Sequence, residues 1–204
     1  EVVSKSNIRL VVMDQSNSAD VNGSGSWIGL YQRIDVRGTG VTTLYSLTSD
    51  SVIVYAGKTV EINGTVAIND YLSMSGSCTG LSSLRANSGT GILSSSSANI
   101  AVTYANIENI TATGGASFVA NDSYDLGGNS GWTINSTSAK DYYWVGDGGS
   151  WDDGSHWALS SGGAGSGCVP TYQDNVYFDF NSFSSFLTLS NSFFLSLFIL
   201  RLLI

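Results

Sequence analysis

From Val52 onward the chain sets its apolar residues in i, i+2 pairs, and this pattern leaves little choice of fold. Val52/Val54, Val60/Ile62, Val66/Ile68 and Leu72/Met74 each place two side chains on one face of a strand. The last three pairs recur at six-residue intervals, with Asn63-Gly64 and Asn69-Asp70 read as turns between them. Upstream, Ile8-Arg9-Leu10-Val11-Val12 reads as one strand. Trp27 to Val36 reads as a longer one, with Ile28, Leu30, Ile34 and Val36 facing inward. Downstream segments follow at Leu81/Leu84, Ile92-Leu93, Ile100/Val102/Tyr104, Ile107/Ile110 and Phe118. Between residues 8 and 180 no 3.6-residue apolar stripe competes with these strands. The expected fold class is all-β.

Two all-β architectures compete. Sandwich strands are usually longer and carry charged residues on their wet face. Here the segments are short, and only 12% of the residues are charged. Ser, Thr, Asn and Gly fill the outward positions instead. That favours a parallel β-solenoid, in which each strand stacks on its equivalent one coil above.

The stretch from Tyr104 to Trp132 adds a family likeness. It carries Asn106-Ile107, Gly114-Gly115, Phe118 and Gly128-Asn129-Ser130-Gly131-Trp132. In this order the residues resemble the closing coils of right-handed β-helix units in very large secreted surface proteins of Bacteroidetes-type bacteria. The resemblance implies a right-handed parallel β-helix over residues 1–134, with Trp132 covering the open end of the apolar stack.

Residues 135–141 form a short polar linker, and a second pattern begins at 142. Trp144-Val145-Gly146, Trp151, Trp157, Pro170 and Asp174-Asn175-Val176-Tyr177-Phe178 resemble a motif that opens repeated units in bacterial adhesins and autotransporter-like β-helix proteins. By that likeness residues 142–183 start a second unit, and the tryptophans pack as its N-terminal cap. The chain then reads as an internal piece of a longer adhesin-like protein, exported to the cell surface or beyond it. Its partners would be surface glycans or other cell-surface proteins. Residues 184–204 break the pattern, being rich in Leu and Phe and lacking glycine. A membrane or sorting segment and a buried strand pair compete for this tail. The favoured reading is a shifted reading frame that supplies residues foreign to the fold.

The chemistry legible in the chain is sparse. Net charge is −8, and Lys5, Arg9, Arg33, Arg37, Lys58, Arg85, Lys140 and Arg201 are scattered, so nucleic-acid binding is set aside. The single histidine, His156, has no nucleophile motif beside it and reads as a loop residue packed on tryptophan. A polysaccharide-cleaving β-helix needs clustered carboxylates. Asp35, Asp50, Glu61, Asp70 and Glu108 are spread along the strands, so the chain reads as no enzyme and as needing no cofactor.

Asp147, Asp152 and Asp153 in one Gly-rich loop, and Asp122, Asp125 and Asn129 in another, read first as solvated turn residues, with calcium the metal they would fit as the alternative. Trp144, Trp151, Trp157 and Tyr172 are the candidates for a sugar-stacking platform. Ice binding would need rows of threonine, and Thr42-Thr43 and Thr111-x-Thr113 make none in the linear chain. Cys78 and Cys168, far apart and without metal-type spacing, read as two unrelated thiols.

Overall fold

The computed structural model describes residues 10–14, 16–21 and 30–184. Of the apolar tail only Ser184 is described, and Ile8, Arg9, Trp27 and Ile28 also lie outside the described residues. The chain divides into two compact units, Glu1–Thr137 and Ser138–Ile204. The described residues contain no α-helix.

The first unit is a parallel β-solenoid. Its strands are β1 (Val11–Met13), β2 (Ala19–Val21), β3 (Leu30–Val36), β4 (Val41–Val54), β5 (Thr59–Ser75), β6 (Ser82–Ala86) and β7 (Gly91–Ser94). They continue with β8 (Asn99–Thr103), β9 (Ala105–Glu108), β10 (Ile110–Thr113), β11 (Phe118–Asn121), β12 (Tyr124–Asp125) and β13 (Trp132–Asn135). Every pairing between these strands is parallel. A single coil cannot bury its own apolar face, whereas a stack of coils buries a continuous one.

The register makes the stacking explicit. On one face Met13, Val36, Val54, Met74, Val102, Ala120 and Ile134 are successive partners. A second face stacks Val21, Leu44 and Ile62 in one column and Val60, Leu84 and Ile107 in the next. The third stacks Leu47, Val66, Leu93 and Ala112. The three faces meet in one core. Fully burying a Val, Leu or Ile side chain is worth about 1.5–3 kcal/mol over leaving it exposed, so these columns supply most of the driving force.

The turns expected at Asn63-Gly64 and Asn69-Asp70 are corners inside one strand. β5 runs unbroken from Thr59 to Ser75 and passes from face to face. Gly64 makes the first corner with φ +81°, and a Cβ there would sit 2.2 Å from Ser46 Oγ. A side chain at this site would both strain the backbone and collide with the coil beneath.

The Gly-Asn-x-Gly stretch ties the last coil to the one before. Asn129 Nδ2 donates to the Ile107 carbonyl at 2.7 Å and to Asp125 Oδ1 at 2.6 Å, and its Oδ1 accepts from Ile110 N–H at 2.9 Å. Ile110 is fully buried. Asn129→Ala leaves its N–H orphaned, which is expected to cost about 1–3 kcal/mol in urea unfolding. A loss within measurement error would show that the bracket is ornamental. Trp132 follows among the last inward residues, half-buried and edge-on to Phe118 at 5.3 Å. It therefore extends the inward column.

The second unit is built on a small sheet. β14 (Asp141–Trp144) lies between β15 (Trp157–Ala158), to which it is antiparallel, and β16 (Asn175–Tyr177), to which it is parallel. A 3₁₀ turn, Gly154–His156, leads into β15 and is N-capped by Asp153. The core is Tyr142, Trp144 and Trp157, with Cys168 and Val176 against it. Neither cysteine is free: Cys78 and Cys168 are both disulfide-bonded, which corrects the reading of two unrelated thiols.

Candidate functional site

The Trp-rich stretch turns its largest rings inward. Trp157 has no exposed surface and Trp144 only 6%. Trp157 takes Trp144 edge-on at 4.9 Å and Trp151 edge-on at 4.7 Å. Its indole N–H donates to the Trp151 carbonyl at 2.8 Å, and that of Trp144 donates to the Asp147 carbonyl at 2.6 Å. His156 stacks on Trp144 at 4.7 Å and holds its Nδ1 2.7 Å from the Val145 carbonyl. Sugar stacking needs a ring face open to solvent. Trp144 and Trp157 offer none, so they leave the proposed platform. Trp151 and Tyr172 keep 37% and 53% of their surface exposed, but they sit in different loops of the unit.

The calcium candidates are not gathered either. Asp147 binds Ser184 through the backbone N–H and the hydroxyl. Asp153 caps the 3₁₀ turn through Ser155 N–H at 2.9 Å, and Asp152 is exposed. No group of three or more His, Cys, Asp or Glu able to hold a metal occurs among the described residues. In the first unit Asp125 and Asn129 hydrogen-bond each other within the coil turn.

The outer surface of the coils is a set of ladders. Asn87 pairs with Asn63 (3.1 Å), Asn121 with Asn135 (2.9 Å) and Asp50 with Asn69 (3.0 Å). Thr111 and Thr113 stack on Ile92 and Ser94, and those on Thr65 and Ala67, so no uninterrupted threonine row forms there. Of the carboxylates, Glu61, Arg85 and Glu108 share one outward column as successive partners. Arg85 separates the two glutamates and donates to Glu61 through Nε at 3.0 Å and Nη2 at 2.8 Å. Burial pushes the Glu61 carboxyl up, but hydrogen bonds from Asn87 and Arg85 outweigh this and hold its pKa below the ordinary value. Asp35 belongs to a different face.

A cluster missed in the linear reading lies around Asp35. Arg33, Asp35 and Arg37 alternate along β3 and just beyond its end, so all three point outward. Arg33 Nε donates to Asp35 Oδ1 at 2.6 Å and Nη2 to Oδ2 at 3.1 Å; Arg37 Nη2 reaches Oδ2 at 2.7 Å. Arg37 also donates to Tyr55 Oη at 3.2 Å, with its guanidinium 5.0 Å from that ring centroid. The Asp35 side chain is 1% exposed, whereas Arg33 and Arg37 keep 45% and 43%. The signal was present as Arg-x-Asp-x-Arg on a strand, but a count of basic residues hides it.

The Arg33 hydrogen bond, opposed by burial and reinforced by Arg37, holds the Asp35 pKa below its ordinary 3.8. A carboxylate with a depressed folded-state pKa stabilises the fold above its unfolded value and loses that contribution as pH falls through the folded value. Glu61 has the same sign. Thermal stability is therefore expected to hold from neutrality to about pH 5 and to fall below the ordinary carboxylate range. A melting temperature that stays flat into stronger acid would remove both ion pairs from the account.

Fold and surface together define the chain as a parallel β-solenoid with laddered polar faces, joined in sequence to a small aromatic-cored unit. No protein-family model matches it, and neither curated proteins nor solved structures yield a similar one. Among the described residues no helix is long and apolar enough to cross a membrane.

Proposed function

We propose that this chain is a structural, adhesive segment of a large secreted cell-surface protein and works without catalysis. The observation that carries the reading is the outer surface of the coils. Asn63, Asn121 and Asp50 hydrogen-bond to their equivalents on adjacent rungs, and the carboxylates of Asp35, Asp50 and Glu61 are held by arginine or amide groups. Such a surface suits extension and presentation; an active site needs titratable groups left free to exchange protons. Oxidised cysteines fit an oxidising setting outside the cytoplasm. The family likeness of Gly128–Trp132 and of the Trp144–Phe178 motif points the same way.

A polysaccharide-cleaving β-helix is the second reading, favoured only by the Glu61–Arg85–Glu108 column. Incubation with neutral and acidic polysaccharides separates the two. The adhesive reading expects no new reducing ends and no unsaturated sugar products. Turnover that Glu108→Gln abolishes would replace it with the enzymatic one.

A further inference from the structure

The structure assigns a preorganised anion site to Arg33, Arg37 and Tyr55, and we propose that it takes the carboxylate or sulfate group of an acidic polysaccharide. The proposal rests on the adhesive reading, since it names what that surface would hold. Two guanidiniums share a single carboxylate here, so the cluster keeps one net positive charge on a chain of net charge −8. Arg33 uses Nε and Nη2 on Asp35, and Arg37 uses Nη2 on Asp35 and Tyr55. Tyr55 also lies within hydrogen-bonding reach of Arg33, while the Arg37 Nε and Nη1 groups are left over from these bonds, and both side chains are nearly half exposed.

Long basic side chains ordinarily lose rotamer freedom when they capture an anion. Here Asp35 and Tyr55 have already fixed both guanidiniums, so that cost falls on folding. The flanking rungs place Val12 and Ile53 beside Asp35. Neither is acidic, so no neighbouring carboxylate at those two positions competes for the remaining N–H groups. Guanidinium forks match planar carboxylates and sulfate oxygens in a way that point charges do not. The overall negative charge of the chain repels acidic polymers, so any binding must be local.

The test is affinity electrophoresis of the whole chain through gels containing polygalacturonate, dextran sulfate or neutral dextran. The two acidic polymers separate carboxylate from sulfate recognition. Removing the arginines alone strands a buried carboxylate, so the variant is Arg33→Gln/Asp35→Asn/Arg37→Gln, which keeps shape and hydrogen-bonding capacity. We expect retardation by at least one acidic polymer and none by dextran, with about tenfold or greater weakening in the folded triple variant. Indifference of the native chain to both acidic polymers overturns the site, as does equal retardation by dextran or of the triple variant. A chain that attaches to cells yet ignores both polymers sinks this site and leaves the adhesive reading standing. Cleavage of either polymer sinks the adhesive reading instead.

Discussion

Ile62→Asp is expected to abolish cooperative folding of the coil stack. Ile62 is 1% exposed and stands in register between Leu44 and Ala86. Gly91 lies so close that a Cβ on it would come within 2.7 Å of Ile62 Cβ. The neighbours in this column are apolar, so the new carboxylate must stay buried and unpaired or drag the coils apart. Either outcome costs several kcal/mol, a large part of the roughly 5–15 kcal/mol that holds a typical domain together. The loss spreads because each coil is stabilised chiefly by its neighbours. Far-UV circular dichroism should show the strand signal gone or melting without a sharp transition. Ile62→Val, which only trims a methylene, should cost about 0.5–1.5 kcal/mol and keep the transition. A native-like melting curve for the Ile62→Asp chain would mean that the column faces solvent.

The second large effect belongs to the aromatic unit. Trp157→Ala removes the ring against which Trp144, Trp151 and Phe178 pack, the last at 6.0 Å. It also leaves the Trp151 carbonyl without its indole donor. A substitution of this kind typically costs about 3–5 kcal/mol, and a unit with so small a core has little to spare. Near-UV circular dichroism should lose its aromatic signal, and proteases should cut between residues 138 and 184. Trp151→Ala, at a ring already 37% exposed, should cost much less. Equal effects at the two positions would mean that burial does not rank these rings.

Much of the solenoid was legible because its strands obey a period of two. Val52/Val54, Val60/Ile62, Val66/Ile68 and Leu72/Met74 are all buried. Alternation does not tell a strand end from a corner, however. Asn63-Gly64 and Asn69-Asp70 look like turns between separate strands in the linear chain, yet they bend one continuous strand. The candidate site was harder to read. Asp35 and the arginines around it were in view, but their meaning depends on side-chain alternation and on Tyr55 arriving from the next coil. For the tryptophans, packing was the expectation and sugar stacking the alternative: the sheet folds Trp144 and Trp157 inside, but the Gly and Asp between them did not show that Trp151 alone would stay partly exposed. The calcium candidates are dispersed for a related reason, since Asp147 and Asp153 accept from backbone and hydroxyl donors of the same unit.

The coils stack in parallel and in register, so that distant residues become outward neighbours. Ser73 and Ala101 are such a pair on β5 and β8. Adjacent rungs lie about 4.8 Å apart, which suits the Cα separation of about 4.4–6.8 Å that a disulfide spans. Mild oxidation of a Ser73→Cys/Ala101→Cys chain should give rapid, near-complete cross-linking without loss of stability. Ser73→Cys/Ile92→Cys, which joins different columns, should stay reduced under the same conditions. A folded chain in which the first pair fails to close, or closes no faster than the second, would contradict the solenoid register.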